Sequence, residues 1–272
     1  MDLPREIQEH YLKGQESQRL LSEQGELEKL RTQAILARDL PLPPAHVFDI
    51  GGGAGVHAVW LAQQGYQVHL IDPVELHLEQ AQSYAAASGV TLASISRGDA
   101  RKLGIASGIA DAVLLLGPLY HLTERLHRIQ ALREARRILK PRSVLLAAGI
   151  SRFASLIDGL SSGFFSDSTF REIVAADLAS GQHRNPTNNP LYFTTAYFHR
   201  PEELAAEVRE AGFREVRVLG VEGPVWSATQ FRKTWGDPVQ RGKLMEFLSS
   251  IEKEPSIHGA SAHFIVGATS AD

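Results

Sequence analysis

From Ala45 to Ile150 the chain alternates short apolar runs with longer stretches whose apolar residues recur every three or four positions. The runs "HVFDI", "YQVHLID", "VTLASIS", "ADAVLLLG" and "SVLLAAGI" predict five strands. Between them, "GVHAVWLAQQG", "PVELHLEQAQSYAAASG" and "TERLHRIQALREARRILKP" predict helices, the second closed by Gly89. Strands apolar on both faces and separated by helices belong to a parallel sheet wound with right-handed crossovers. The fold class is therefore α/β.

The pattern changes on either side of this block. Residues 4 to 39 read as two helices, the second placing Leu27, Leu30, Ile35 and Leu36 at helical spacing before "PLPP" stops it. Residues 152 to 200 are long, mixed and aromatic. After them "PEELAAEVREAG" is a helix with Pro201 at its start and Gly212 at its end. "FREVRVLG" and "SAHFIVGAT" supply two further strands, with a partly helical insertion over 222 to 258. The chain divides into a helical cap over 1–44, an α/β domain over 45–151 with 201–272, and an insertion over 152–200.

Composition narrows the chemistry. At 272 residues and 43% hydrophobic the chain can bury a large core. Its 28 basic and 31 acidic residues leave a net charge of -3, without the basic footprint of a nucleic-acid binder. The signs alternate in "HLTERLHRIQALREARRILKPR", as on a solvated helix face. With no cysteine there is no disulfide, thiolate nucleophile or thiolate-held metal. A polar N-terminus and the lack of a long apolar run give the expectation of a cytoplasmic protein without a membrane segment.

The candidate chemistry sits at "VFDIGGGAG", where an apolar strand with an acid inside it enters a turn rich in glycine. Such a turn brings backbone N–H groups and the positive end of a helix dipole up to a ligand. Dinucleotides and S-adenosylmethionine are its two common users. The dinucleotide fingerprint requires glycine or alanine where this chain has Val56. The observed spacing is D-x-G-x-G-x-G, through Asp49, Gly51, Gly53 and Gly55. It resembles motif I of the class I S-adenosylmethionine-dependent methyltransferases.

That resemblance covers 45–150, with 201–219 and 260–268 as the last strands. It implies a Rossmann-like seven-stranded, mostly parallel sheet with helices on both faces, N-terminal helices and a helical, aromatic lid. The implied cofactor is S-adenosyl-L-methionine. Asp72, with Pro73 behind it, would take the ribose hydroxyls, and Asp99, followed by Ala100, the adenine amino group. Asp49 would orient the glycine turn or reach the ligand's amine. "DAVLLLGPLYHL", with Leu116 in it, would run beneath the methyl donor, and Tyr11 on the N-terminal helices would reach the cofactor's methionine end. Each residue also has a plainer reading: a tight turn for the glycines, a helix cap for Asp72 and Asp99, packing for Tyr11 and Arg31.

Tyr120 and His121 are the candidate catalytic residues, in the loop after the fourth strand. His121 either takes a proton from an acceptor near neutral pH or bonds to backbone at a helix start. His183 and His199 are weaker candidates. The aromatic insertion is either a second patch of core or a lid over an apolar or aromatic substrate. Its length and its place after a parallel strand favour the lid, and Trp226 and Trp235 would line the same cavity. No metal ligand set is legible.

The expected function is methyl transfer to nitrogen or oxygen of a small molecule by in-line displacement, in which the protein mainly positions the reactants and excludes water. Nucleic acid is excluded further by "GPLY", which lacks the leading Asn or Asp of amino-methylating DNA enzymes. A nicotinamide-dependent oxidoreductase and a non-catalytic cofactor-binding protein are the competing readings. The oligomeric state is not legible.

Overall fold

A computed structural model describes residues 6–7, 23–187 and 189–271. The first predicted helix falls mostly outside these, as does Tyr11. The second is α1 (Glu23–Asp39). The α/β block then runs β1 (His46–Ile50), α2 (Val56–Gln63), β2 (Gln67–Asp72), α3 (Glu75–Ala87), β3 (Ser94–Arg97), β4 (Ala110–Leu115), a single turn α4 (Pro118–His121), α5 (Arg125–Ile138) and β5 (Leu139–Ile150). The insertion holds α6 (Ala154–Ser162), α7 (Ser168–Ser180) and the short ribbon β6 (Gln182–His183) with β7 (Ala196–Tyr197). Then come α8 (Pro201–Glu210), β8 (Phe213–Gly220), α9 (Phe231–Gly236), α10 (Pro238–Ile251), α11 (Pro255–His258) and β9 (His263–Ser270).

Seven strands form one sheet in the order β3-β2-β1-β4-β5-β9-β8. Those from β3 to β5 are parallel, and β9 runs antiparallel between β5 and β8. Alternation along each strand splits the core in two. Phe48, Ile50, Val113, Leu115 and Leu145 join α5 and α8 on one face. Val47, Ala112, Leu114 and Leu146 join α1, α2 and α3 on the other. By this alternation Asp49 lies on the second face, where every neighbouring strand position is apolar.

Two predicted boundaries move. The edge strand β3 starts at Ser94, because Val90 N–H closes onto the α3 carbonyl of Ala85 and spends the first residues of "VTLASIS" on leaving the helix. Helix α5 ends at Ile138, because Leu139 already pairs with Ala110 of β4.

Helix α1 is pinned across the molecule by Arg31, which is fully buried. Its guanidinium donates to the Val221 carbonyl at 3.0 Å, to Ser249 Oγ at 2.6 Å and to Glu252 Oε2 at 2.6 Å. Arg31 therefore has the packing role. The 222–258 segment builds its own core, with Trp226, Phe231 and Trp235 against Leu27 of α1. The insertion does likewise: Phe170, Ile173, Val174 and Tyr192 pack with Phe164 and Phe165, while Phe198 and Ala196 pack with Tyr120 and Phe193 against Ile150. Among the described residues no helix is long and apolar enough to cross a membrane.

Candidate active site

The glycine turn after β1 reverses the chain through three positive φ angles, at Gly51 (72°), Gly53 (55°) and Gly55 (83°). These lie in the left-handed region that glycine reaches without a steric penalty. Close approach adds a second requirement at Gly51, where a Cβ would stand 2.8 Å from Pro118 Cδ. A Cβ on Gly117 would stand 2.9 Å from the Gly51 carbonyl. The turn after β1 and the loop after β4 are thus pressed together by two residues without side chains. Above them opens a cleft at the carboxyl ends of the strands.

Asp72 closes the turn from the β2 side. It is 4% exposed, and its carboxylate accepts from Gly53 N–H at 2.9 Å, Val74 N–H at 2.9 Å and His77 Nδ1 at 3.0 Å. The plainer reading of Asp72 as the N-cap of α3 does not hold: the N-cap is Val74, which carries no side-chain cap bond, and Asp72 accepts from its N–H. Asp49 lies 2% exposed beneath the turn, and its carboxyl is pushed up to about 7, first by burial and then by the negative charge of Asp72. Asp99, after β3, is gripped by Arg101, whose Nε and Nη2 reach its two oxygens at 2.9 and 2.6 Å. Burial pushes Asp99 up, but the hydrogen bonds and charge of Arg101 outweigh this and hold it below the usual carboxylate range.

Of the residues singled out from sequence, Asp49, Gly51, Gly53, Asp72, Pro73, Asp99, Ala100, Leu116, Tyr120 and His121 all line this one cleft. Gly55 does not. It precedes α2, and a Cβ there would meet Ala81 Cβ at 3.0 Å, so its role is to let α3 approach.

His121 is buried, with Nδ1 3.3 Å from the Thr195 carbonyl, an acceptor that makes this nitrogen the donor. Its ring lies edge to face with Tyr120 and stacks near Phe193. The expected local backbone bond is thus replaced by one to the insertion, 74 residues away. Thr195 Oγ1 in turn donates to Glu6 Oε2 at 3.1 Å, so the insertion also touches the N-terminal segment.

Other expectations are corrected. Among the described residues, none lining the cleft comes from 152–200, because the aromatic side chains there are spent on the insertion's own core. Trp226 and Trp235 are likewise absent from the lining, packed under α1. His183 is buried between Asp177, at 2.9 Å, and the Tyr192 carbonyl, at 2.7 Å. His199, fully buried beside Glu207 at 3.4 Å, is pulled down by burial despite that carboxylate.

Sequence reasoning missed the far end of the cleft. Glu28 and Thr32 of α1, Val221 after β8, and His263 and Ile265 of β9 all line it. Their signal was absent because they come from three distant segments that only the antiparallel insertion of β9 brings together. Glu28, Glu222 and His263 are also the one group among the described residues with donor atoms close enough to share a metal ion, within 4.8 Å of one another. His263 Nδ1 lies 2.7 Å from Glu222 Oε1, so a hydrogen bond already joins two of the three.

The charges in the cleft bear on its ligand. Among the described residues Arg101 is the one lysine or arginine in the lining, and it is engaged with Asp99. Among those residues, a pyrophosphate on the glycine turn would face Asp49 and Asp72. A ligand with an ammonium group and a neutral nucleoside fits the same donors and acceptors.

Residues 47–142 match the family model described as a methyltransferase domain. The chain is 29% identical over 190 residues to a ubiquinone biosynthesis O-methyltransferase of Azorhizobium caulinodans, covering 68% of this chain and 65% of that relative. It is 26% identical over 214 residues to the ubiquinone/menaquinone biosynthesis C-methyltransferase UbiE of a Caulobacter species, covering 74% and 80%. Among solved structures, a methyltransferase of Thermotoga maritima described as a possible histamine N-methyltransferase superposes with a TM-score of 0.58 at 20% identity, covering 97% of this chain and 99% of that one.

Proposed function

We propose that this chain, which belongs to the class I S-adenosylmethionine-dependent methyltransferases, transfers a methyl group to a hydroxyl oxygen of a small, neutral, largely apolar or aromatic molecule. The observation that carries the reading is the cleft itself. At one end stand the glycine turn, Asp72 and Asp99; at the other, apolar walls from Val221 and Ile265 are interrupted by Tyr120, His121 and His263. Among the described residues no lysine or arginine stands at that second end, so an acceptor bearing a carboxylate or phosphate would meet no counter-charge from them.

In this reading Asp72 takes the ribose, Asp99 the adenine amino group, and Asp49 with the turn's backbone the amino-acid end of the donor. The sulfonium supplies a methyl group already attached to a good leaving group. The chain's own contribution is to hold the acceptor in line and keep water out, an arrangement worth at most roughly 7–11 kcal/mol of the barrier. The insertion meets this end from behind its wall, where the Thr195 carbonyl accepts from His121 Nδ1. Nitrogen is the second reading, favoured by Glu28, whose carboxylate at the acceptor end would attract an ammonium group.

Incubation with methyl-labelled donor and separate panels of neutral phenols and of primary amines tests the assignment. Label in a phenol ether supports oxygen; label confined to the amines moves the reading to nitrogen; label in neither class removes both.

A further inference from the structure

We propose that Glu28, Glu222 and His263 form a binding site for one divalent transition-metal ion, of the class of Zn²⁺, Co²⁺ or Mn²⁺, in the wall of the cleft's acceptor end. The three ligands come from α1, from the loop after β8 and from the start of β9. Their donor atoms all lie within 4.8 Å of one another. His263 Nδ1 is 2.7 Å from Glu222 Oε1 and 3.8 Å from Glu28 Oε2. Donors held about 2.1 Å from a tetrahedral ion stand about 3.4 Å apart, a spacing that these two distances straddle. The ion would take the place of the proton that Nδ1 and Oε1 share.

Glu222 points to a cation independently of the other two. It is 3% exposed, and a carboxylate taken out of water is paired with a cation or ligates one. The groups on it are the Ser261 hydroxyl and the His263 backbone N–H, both 2.9 Å from Oε2, and His263 Nδ1 on Oε1. Among the described residues no lysine or arginine reaches it, since Arg31 and Arg38 of the adjoining helix are both engaged with Glu252. Oε2 is thus fixed by neutral donors. Oε1 is left directed at the imidazole nitrogen on which Glu28 also converges.

The fold holds the three elements together without the ion. Arg31, one turn along α1 from Glu28, donates to the Val221 carbonyl at 3.0 Å and so ties that helix to the residue before Glu222. Ser261 Oγ accepts from the backbone N–H groups of Glu222 and Gly223, at 2.9 and 3.0 Å, and draws the loop after β8 onto the start of β9. His263 itself pairs with Ile150 at the carboxyl edge of the sheet. Support of this kind behind the ligands is worth roughly 10–100-fold in metal affinity. One imidazole nitrogen with two carboxylate oxygens suits a first-row transition ion better than magnesium or calcium, which take oxygen ligands. Three protein ligands leave a position open, and Glu28 and His263 both line the cleft, so that position faces its acceptor end. On the reading of that end proposed above, the acceptor's oxygen would take the open position, which favours a hydroxyl over a protonated amine.

The test uses Co²⁺, whose visible bands report a site of low coordination number, added to the full-length protein after dialysis against a chelator. No methyl donor is present, so the result does not depend on the ligand of the glycine turn. The wild type is expected to develop saturable absorbance with one equivalent of Co²⁺, displaced by Zn²⁺, and a melting temperature that rises with the ion. Glu222→Gln and His263→Gln lose the bands, and Glu28→Gln weakens Co²⁺ binding at least about tenfold. Cooperative melting of the metal-free variants shows that they fold, and Glu28→Gln, at a half-buried position on α1, keeps the test decisive should Glu222→Gln fail to fold. Bands absent from the wild type, or kept in His263→Gln as they would be if exposed histidines held the ion, overturn the proposal. So does a Glu28→Gln variant that binds Co²⁺ as tightly as the wild type.

Discussion

The carboxylate of Asp72 accepts a hydrogen bond from the backbone N–H of Gly53 at 2.9 Å, so the acid that ends the second strand also holds the glycine turn of the first in shape. The same carboxylate takes Val74 N–H and His77. Asp72→Ala removes the acceptor shared by three donors, two of them part-buried at the cleft, where a donor left unsatisfied and out of water costs about 1–3 kcal/mol. The expected result is a lowered melting temperature together with at least about a tenfold loss of S-adenosylhomocysteine affinity, read by thermal unfolding and calorimetry on one preparation. Unchanged affinity would remove Asp72 from the ribose site.

On the proposed placement of the donor's amino group, Asp49 ties cofactor affinity to pH. Its carboxyl is raised from 3.8 to about 7, so between these values the folded protein keeps a proton that the unfolded chain has released. The contribution of Asp49 to stability therefore falls as pH rises from about 4 to about 7, and is constant above. An ammonium group bound beside Asp49 favours the carboxylate, so affinity for S-adenosylhomocysteine rises with pH over the same window. Asp49→Asn is expected to flatten both trends. A wild-type affinity that is level from pH 5 to 8 would mean that the ligand's cation is elsewhere.

Gly51 and Gly53 both adopt positive φ, but only Gly51 has a neighbour where a Cβ would go. Gly51→Ala adds a collision with Pro118 to the roughly 1–2 kcal/mol of a left-handed alanine. Gly53→Ala carries the backbone penalty alone, since nothing lies within 4 Å. Thermal unfolding should rank Gly51→Ala clearly below Gly53→Ala; equal melting points would show that the two loops are not in contact.

Arg31 and Glu252 form a buried pair whose side chains are each 1% exposed. Removing one partner of an isolated pair typically costs about 3–5 kcal/mol, but Glu252 keeps Arg38, whose Nη1 lies 2.6 Å from Oε1, so the cost here falls below about 3 kcal/mol. Arg31→Met should therefore lower the melting temperature by no more than roughly 12 °C, at 2–4 °C per kcal/mol for a chain of this size. Arg31→Met combined with Glu252→Gln should recover part of the loss. A double variant no better than the single would show that the packing of α1, not the charge, is what Arg31 supplies.

How far these features were legible in the sequence depends on whether their signal was local. The strands and helices around Asp49, Asp72 and Asp99 carry strong period-2 and period-3.6 patterns, and the glycines sit at fixed offsets from a strand end. The seven strands and the cofactor side of the cleft could therefore be anticipated. Arg31 could not, because its partners lie 190 to 221 residues away and nothing in "KLRTQ" marks a buried guanidinium. The aromatic residues of the insertion suggested a cavity lining, but Phe170 and Tyr192 satisfy one another, and composition does not distinguish a lid from a small core. Glu222 and His263 stood in segments read as an insertion and a final strand. Only the position of β9 between β5 and β8 brings them to the cleft.

The most direct test of the central claim is calorimetric titration of the purified protein with S-adenosylhomocysteine, beside NAD and NADP. The account predicts one-site binding of S-adenosylhomocysteine, weakened in Asp72→Ala, and no heat of binding from either dinucleotide. Binding of a dinucleotide, or of none of the three, would contradict it.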